Sequence, residues 1–164
     1  MKAIHFEITD QDRHFMQMAC DLAVENVDRG GGPFGAVIVK DGKVIAAAGN
    51  SVTLDNDPTA HAEVNAIRRA CALTRNFKLD GCVVFSSCEP CPMCLSALYW
   101  AGVSRIYYGA TAADAEHINF SDAFIYREIE KPHIERSIPC IHIQDSSAID
   151  AFNKWNLMAD KAEY

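Results

Sequence analysis

Residues 82–110 read CVVFSSCEPCPMCLSALYWAGVSRIYYGA. The stretch opens on CVVFSS, an apolar run of buried-strand length. It continues through CPMCLSALYWA, where Pro92 suits the first position of a helix. It closes on VSRIYYGA, a second strand-like run. Strand, helix, strand is the repeating unit of an α/β protein, whose crossover helices cover a largely parallel sheet. Cys91 falls at the N-cap position of the helix and Cys94 in its first turn. Thiolates there are favoured by unpaired N–H groups and the positive end of the helix dipole.

The same alternation extends on both sides. Upstream, residues 10–28 carry Phe15, Met18, Ala19 and Leu22 at helical spacing, and RGGGPFG ends that helix. AVIVK and KVIAAAG flank Asp41-Gly42, a strong signal for a tight hairpin. After the loop NSVTLDNDPT, a helix is expected over about 60–73, with Val64, Ile67 and Cys71 on its buried stripe. Downstream, a broken helical stretch spans about 112–130, a strand lies near IPCIHI, and a last helix covers about 148–159. The chain thus reads as one domain.

The second half of a possible site lies on the 60–73 helix. PTAHAEVNAI places His61 and Glu63 two residues apart, which mid-helix points them about 200° away from each other. At a helix start they can serve one site, because side chains lean toward the N-terminus. Two helix starts facing each other would then bring together one imidazole and two thiolates. That Cys₂His set is the protein share of a catalytic zinc site, with the fourth position left for water. Glu63 is more useful beside such a site as a base than as a ligand. Other readings compete. Cys91-x-x-Cys94 could be a redox pair, or Cys88 could close a purely structural zinc site. The joint H-x-E and P-C-x-x-C pattern is known from zinc-dependent nucleobase deaminases and is more specific than either half.

Bulk properties narrow the partner. The chain has 164 residues, 15 Lys+Arg against 22 Asp+Glu, and a formal net charge of −7. That balance disfavours nucleic acid, which is held largely through basic residues on phosphates. No apolar run is long enough to span a membrane, and the first residues lack the apolar core of a secretion signal. A cytoplasmic protein with reduced thiols is expected. Seven cysteines suit metal binding better than a disulfide framework, with Cys20, Cys71 and Cys82 as small core residues.

HAEVNAI, SSCEPCPMC and GGPFGAVIVKDGKVIA together resemble the cytidine deaminase-like zinc hydrolases. NDPTAHAEV, CEPCPMCLSALYWA, FSDAFIYREI and the final EY make the bacterial guanine deaminases the branch that the chain looks most like. The resemblance implies a three-layer α/β sandwich with a central five-stranded mixed sheet and helices on both faces. It implies one Zn²⁺ per chain on His61, Cys91 and Cys94, with Glu63 as proton shuttle. It implies hydrolysis of guanine at C2 to xanthine and ammonia. Asn50 would hydrogen-bond the purine, Phe34 would wall the pocket, and Asp122 would assist recognition or proton transfer. A homodimer with exchanged C-terminal segments, about 132–164, is also implied, Tyr164 closing the other chain's site. Each assignment has a plainer rival. Asn50 could be a turn residue, Phe34 core, Asp122 a helix cap, and Tyr164 a frayed terminus. The alternatives are deamination of guanosine, cytosine or an adenine in tRNA, and a non-catalytic zinc module.

Overall fold

The computed structural model describes residues 7–144 and 146–163. Two compact units divide the chain, Met1–Ala123 and Phe124–Tyr164.

In the first unit, α1 runs Asp10–Asp28, and Thr9 and Asp12 form a reciprocal capping box at its start. The hairpin follows as β1 (Gly35–Lys40) and β2 (Lys43–Gly49), turning through Asp41 and Gly42, both at positive φ. That geometry fits the tight turns that follow strand twist. A short helix α2 (Val52–Asp55) sits where a loop was expected. Then come α3 (Ala62–Thr74), β3 (Val83–Cys88), α4 (Pro92–Ala101), β4 (Arg105–Ala110) and α5 (Ala112–His117). The helix α6 (Asp122–Glu130) begins at the end of this unit.

The sheet order is β2-β1-β3-β4. β1 is antiparallel to both β2 and β3, and β3 and β4 run parallel, so β2, β3 and β4 share one direction. The α3 connection therefore crosses over β1 on its way from β2 to β3. Among the described strands the sheet is largely parallel, as expected, with the hairpin's β1 as its antiparallel member. Pleat alternation splits the core. Ala36 and Ile38 face α3 and α4 through Ala62, Ala66, Ala70 and Leu98, while Val37 and Val39 face α1 through Phe15 and Ala19. Helices therefore cover both faces, as expected. Fully burying a side chain such as Ile38 or Leu98 stabilises by about 1.5–3 kcal/mol. A Cβ on Gly35 would stand 2.3 Å from the Ala19 carbonyl oxygen, so α1 packs directly on the β1 backbone.

The expected fifth strand is absent: among the described residues the sheet has four strands. IPCIHI lies in irregular chain, with Ile138, Ile141 and Ile143 between 76% and 80% exposed. A strand forms only against a neighbouring strand that takes its N–H and C=O groups, and no described strand does so here. The second unit otherwise contains the remainder of α6, a 3-10 turn at His133–Glu135 and α7 (Ala148–Asn156). No helix among the described residues is long and apolar enough to cross a membrane.

Candidate active site

The two metal half-motifs fold as two helix starts. His61 is the N-cap of α3, in extended conformation, and Glu63 lies in the first turn. Cys91 is the N-cap of α4, Pro92 opens the helix, and the Cys94 amide donates to Cys91 Sγ at 3.5 Å. His61 Nδ1 lies 3.6 Å from Cys91 Sγ and 3.5 Å from Cys94 Sγ. The three donor atoms all lie within 4.8 Å of one another. A tetrahedral zinc, with Zn–S about 2.3 Å and Zn–N about 2.0–2.1 Å, would set each S···N separation near about 3.5 Å. The donor chemistry and the spacing therefore both fit that ion. Cys88 does not join the group. Its thiol donates to the Thr111 carbonyl oxygen at 3.7 Å, and burial pushes its pKa up to about 11.

The electrostatics favour a thiolate at Cys91. Hydrogen bonding from Cys94 pulls the Cys91 pKa down to about 4, and the contact with His61 adds to it. Cys94 is pushed up by the same bond to Cys91 and by burial. The bond to Cys91 raises His61 against its burial.

Glu63 is 6% exposed, and burial raises its pKa. The hydroxyl of Ser86, on β3, donates to Glu63 Oε1 at 3.0 Å and opposes that shift. A carboxyl group held in this balance can both accept and return a proton.

A cleft of about 180 Å³ adjoins the donor group. His61, Glu63 and Cys91 line it on the metal side. Asn50, immediately after β2, and Phe34, immediately before β1, also line it. Asp122, the first residue of α6, also lines it, and burial raises its pKa, with the negative charge of Cys91 adding to the effect. Tyr164 lies outside the described residues. Sequence reading missed two contributors. Phe120 meets Phe34 edge-on, with ring centroids 5.0 Å apart. Glu89 accepts from the Ala112 amide at 2.9 Å and so ties the metal loop to the start of α5. The signal for Glu89 was available, since a carboxylate suits the first turn of a helix. The partner helix, however, lies 23 residues downstream.

A sequence model of the cytidine and deoxycytidylate deaminase zinc-binding region matches residues 9–110. The chain belongs to that family. The matched stretch carries His61, Glu63, Cys91, Cys94 and Asn50, and stops short of Asp122. Among deaminases of known function, the guanine deaminase of Bacillus subtilis is 51% identical over 151 residues, covering 92% of this chain and 97% of its own. A crystal structure of the B. subtilis guanine deaminase superposes with a TM-score of 0.90 at 50% identity, over 93% of this chain and 98% of that one. The guanine deaminase of Nitrosomonas europaea gives a TM-score of 0.64 at 30% identity, over 72% and 68%. A tRNA-specific adenosine deaminase of Agrobacterium fabrum is 44% identical over 97 residues, but over only 59% of this chain and 64% of its own.

Proposed function

We propose that this family member is a guanine deaminase, converting guanine and water to xanthine and ammonia. The observation that carries the reading is the pairing of a buried carboxylate, Glu63, with a His-Cys-Cys donor group on a cleft of nucleobase size. The similarity to guanine deaminase supports the choice of base, because it runs on past β4 through the Asp122 segment. Among the described residues lining the cleft there is no Lys or Arg. A substrate held by its phosphates would need them.

Zinc held by His61 Nδ1, Cys91 Sγ and Cys94 Sγ would lower the pKa of bound water to about 7 and so supply a nucleophile at neutral pH. Glu63 accepts a proton from the attacking water as the C2–O bond forms, and passes it to a ring nitrogen of the base. Glu63 or Asp122 then takes the remaining proton from the new C2 hydroxyl and delivers it to the exocyclic amine, and the C2–N bond breaks to release ammonia as C2=O forms. The amide NH₂ of Asn50 donates to an acceptor on the purine edge. Phe34 and Phe120 wall off water from the apolar face of the ring. A mismatched base leaves Asn50 unpaired, which discriminates more strongly than shape alone.

Ammonia release from guanine, guanosine, adenine, cytosine and cytidine tests the substrate. Guanine is expected to react, and guanosine, which must fit a ribose, to be slower by orders of magnitude. An inert guanine beside a reactive second base would overturn the choice of substrate and leave the hydrolytic chemistry standing.

The working enzyme is a cytoplasmic homodimer with exchanged C-terminal segments, the terminal Tyr164 of each chain closing the other's cleft. Its support is the apolar surface of the second unit, where Ile138, Phe152 and Leu157 are 71–87% exposed. Unpartnered apolar surface of this extent marks an interaction face. Mixing chains carrying Glu63→Gln with chains lacking Tyr164 separates exchange from simple dimerisation. Exchange predicts recovered activity, because one cleft of the mixed dimer then has both intact groups. No recovery in a verified mixed dimer would contradict exchange.

A further inference from the structure

We propose that Asn26 is a positioning residue that fixes the base-binding wall of the cleft. The proposal rests on the reading of Asn50 as a purine contact. Asn26 lies in the last turn of α1, is 8% exposed and is not among the residues lining the cleft. Its side-chain Nδ2 donates to the carbonyl oxygens of Gly32, at 2.7 Å, and Asn50, at 2.6 Å. Both N–H groups of one amide are thereby committed to two lining residues. Its backbone carbonyl oxygen accepts from the Gly31 amide at 2.9 Å, a second hold on the glycine loop.

The consequence falls on Asn50. Its backbone N–H donates to the Phe34 carbonyl oxygen at 3.1 Å, its carbonyl is held by Asn26, and its Oδ1 accepts from the Val52 amide at 3.2 Å. The last of these fixes which side-chain atom is oxygen and leaves the NH₂ for a ligand. An amide held at three points meets the base without first losing rotamer freedom, which is how preorganisation raises affinity.

The chain around the clamp is built to let it close. A Cβ on Gly31 would stand 2.3 Å from Asn26 Nδ2 and 2.6 Å from the Asn50 carbonyl oxygen. A Cβ on Gly49 would stand 2.5 Å from Asn26 Oδ1. Neither glycine has a positive φ, so space rather than backbone conformation requires them. Aspartate would turn a buried carboxylate on two carbonyls, and serine offers one donor instead of two.

The test is a kinetic cycle on guanine with Asn26→Ala, Asn50→Ala and the double variant, each with its zinc content measured. Asn26→Ala is expected to raise KM about tenfold, about what loss of the one Asn50 hydrogen bond to the base would cost. Its kcat per folded molecule stays near that of the parent, and zinc stays at about one per chain. Because Asn26 acts through Asn50, the double variant is expected to be no worse than Asn50→Ala alone. A merely structural role would lower the folded fraction and leave KM unchanged. Unchanged KM in Asn26→Ala, or effects that multiply in the double variant, overturns the role of Asn26. Unchanged KM in Asn50→Ala overturns the reading of Asn50 itself, and the two failures are distinct. Should Asn26→Ala not fold, Asn26→Ser and Gly49→Ala carry the test. Each is expected to raise KM, and parental KM in both overturns the proposal.

Discussion

Replacing Glu63 by Gln will leave a folded, zinc-loaded protein whose kcat on guanine is lower by about 10³-fold. A positioned general acid–base group contributes about 10²–10⁴-fold, and Glu63 is asked to move protons at more than one point. The substitution is nearly isosteric, and the Gln oxygen can still accept from Ser86, which donates to Glu63 Oε1 at 3.0 Å. It also removes a carboxylate that burial disfavours as an anion, so the thermal midpoint is expected to hold or rise. Steady-state kinetics, metal analysis and a melting curve on one preparation check all three parts. Normal turnover by a zinc-loaded Glu63→Gln variant would remove Glu63 from the mechanism.

Replacing Cys91 by Ser will abolish metal retention and turnover together while the fold survives. The change keeps an N-cap hydroxyl for the Cys94 amide, a role in which serine is among the best residues. It removes the thiolate that would ligate zinc. The expected loss of zinc affinity exceeds the about 10–100-fold that follows from losing only an outer hydrogen-bond partner of a ligand. The two apolar clusters on either face of the sheet do not depend on the metal. Ile38, Leu98 and Val84 pack on one face, Phe15 and Phe85 on the other. Cooperative unfolding is therefore expected in the metal-free variant. If instead chelation or Cys91→Ser unfolds the whole chain, zinc is acting as a structural staple, and the hydrolytic reading loses its main support.

What could be read from sequence is what local chemistry decides. The Asp41-Gly42 turn and Pro92 after Cys91 each specify their geometry within a few residues, and both form as expected. The metal trio was legible for the same reason, because each half-motif sits on its own helix start. Long-range pairing was not. Nothing in AVIVK says that its second neighbour, β3, will run antiparallel. IPCIHI has strand composition, yet composition cannot supply the partner strand that would take its backbone groups. Asn26 is the clearest miss in the site. On the helical pattern of α1 it looks like an ordinary polar residue, and its two acceptors lie six and 24 residues away.

X-ray absorption at the zinc edge of the purified protein tests the central claim most directly. The account predicts one zinc per chain with two sulfurs at about 2.3 Å and two lighter atoms at about 2.0–2.1 Å, one of them the His61 nitrogen and the other exchangeable. A shell of three sulfurs, with Cys88 recruited and no exchangeable position, would contradict it.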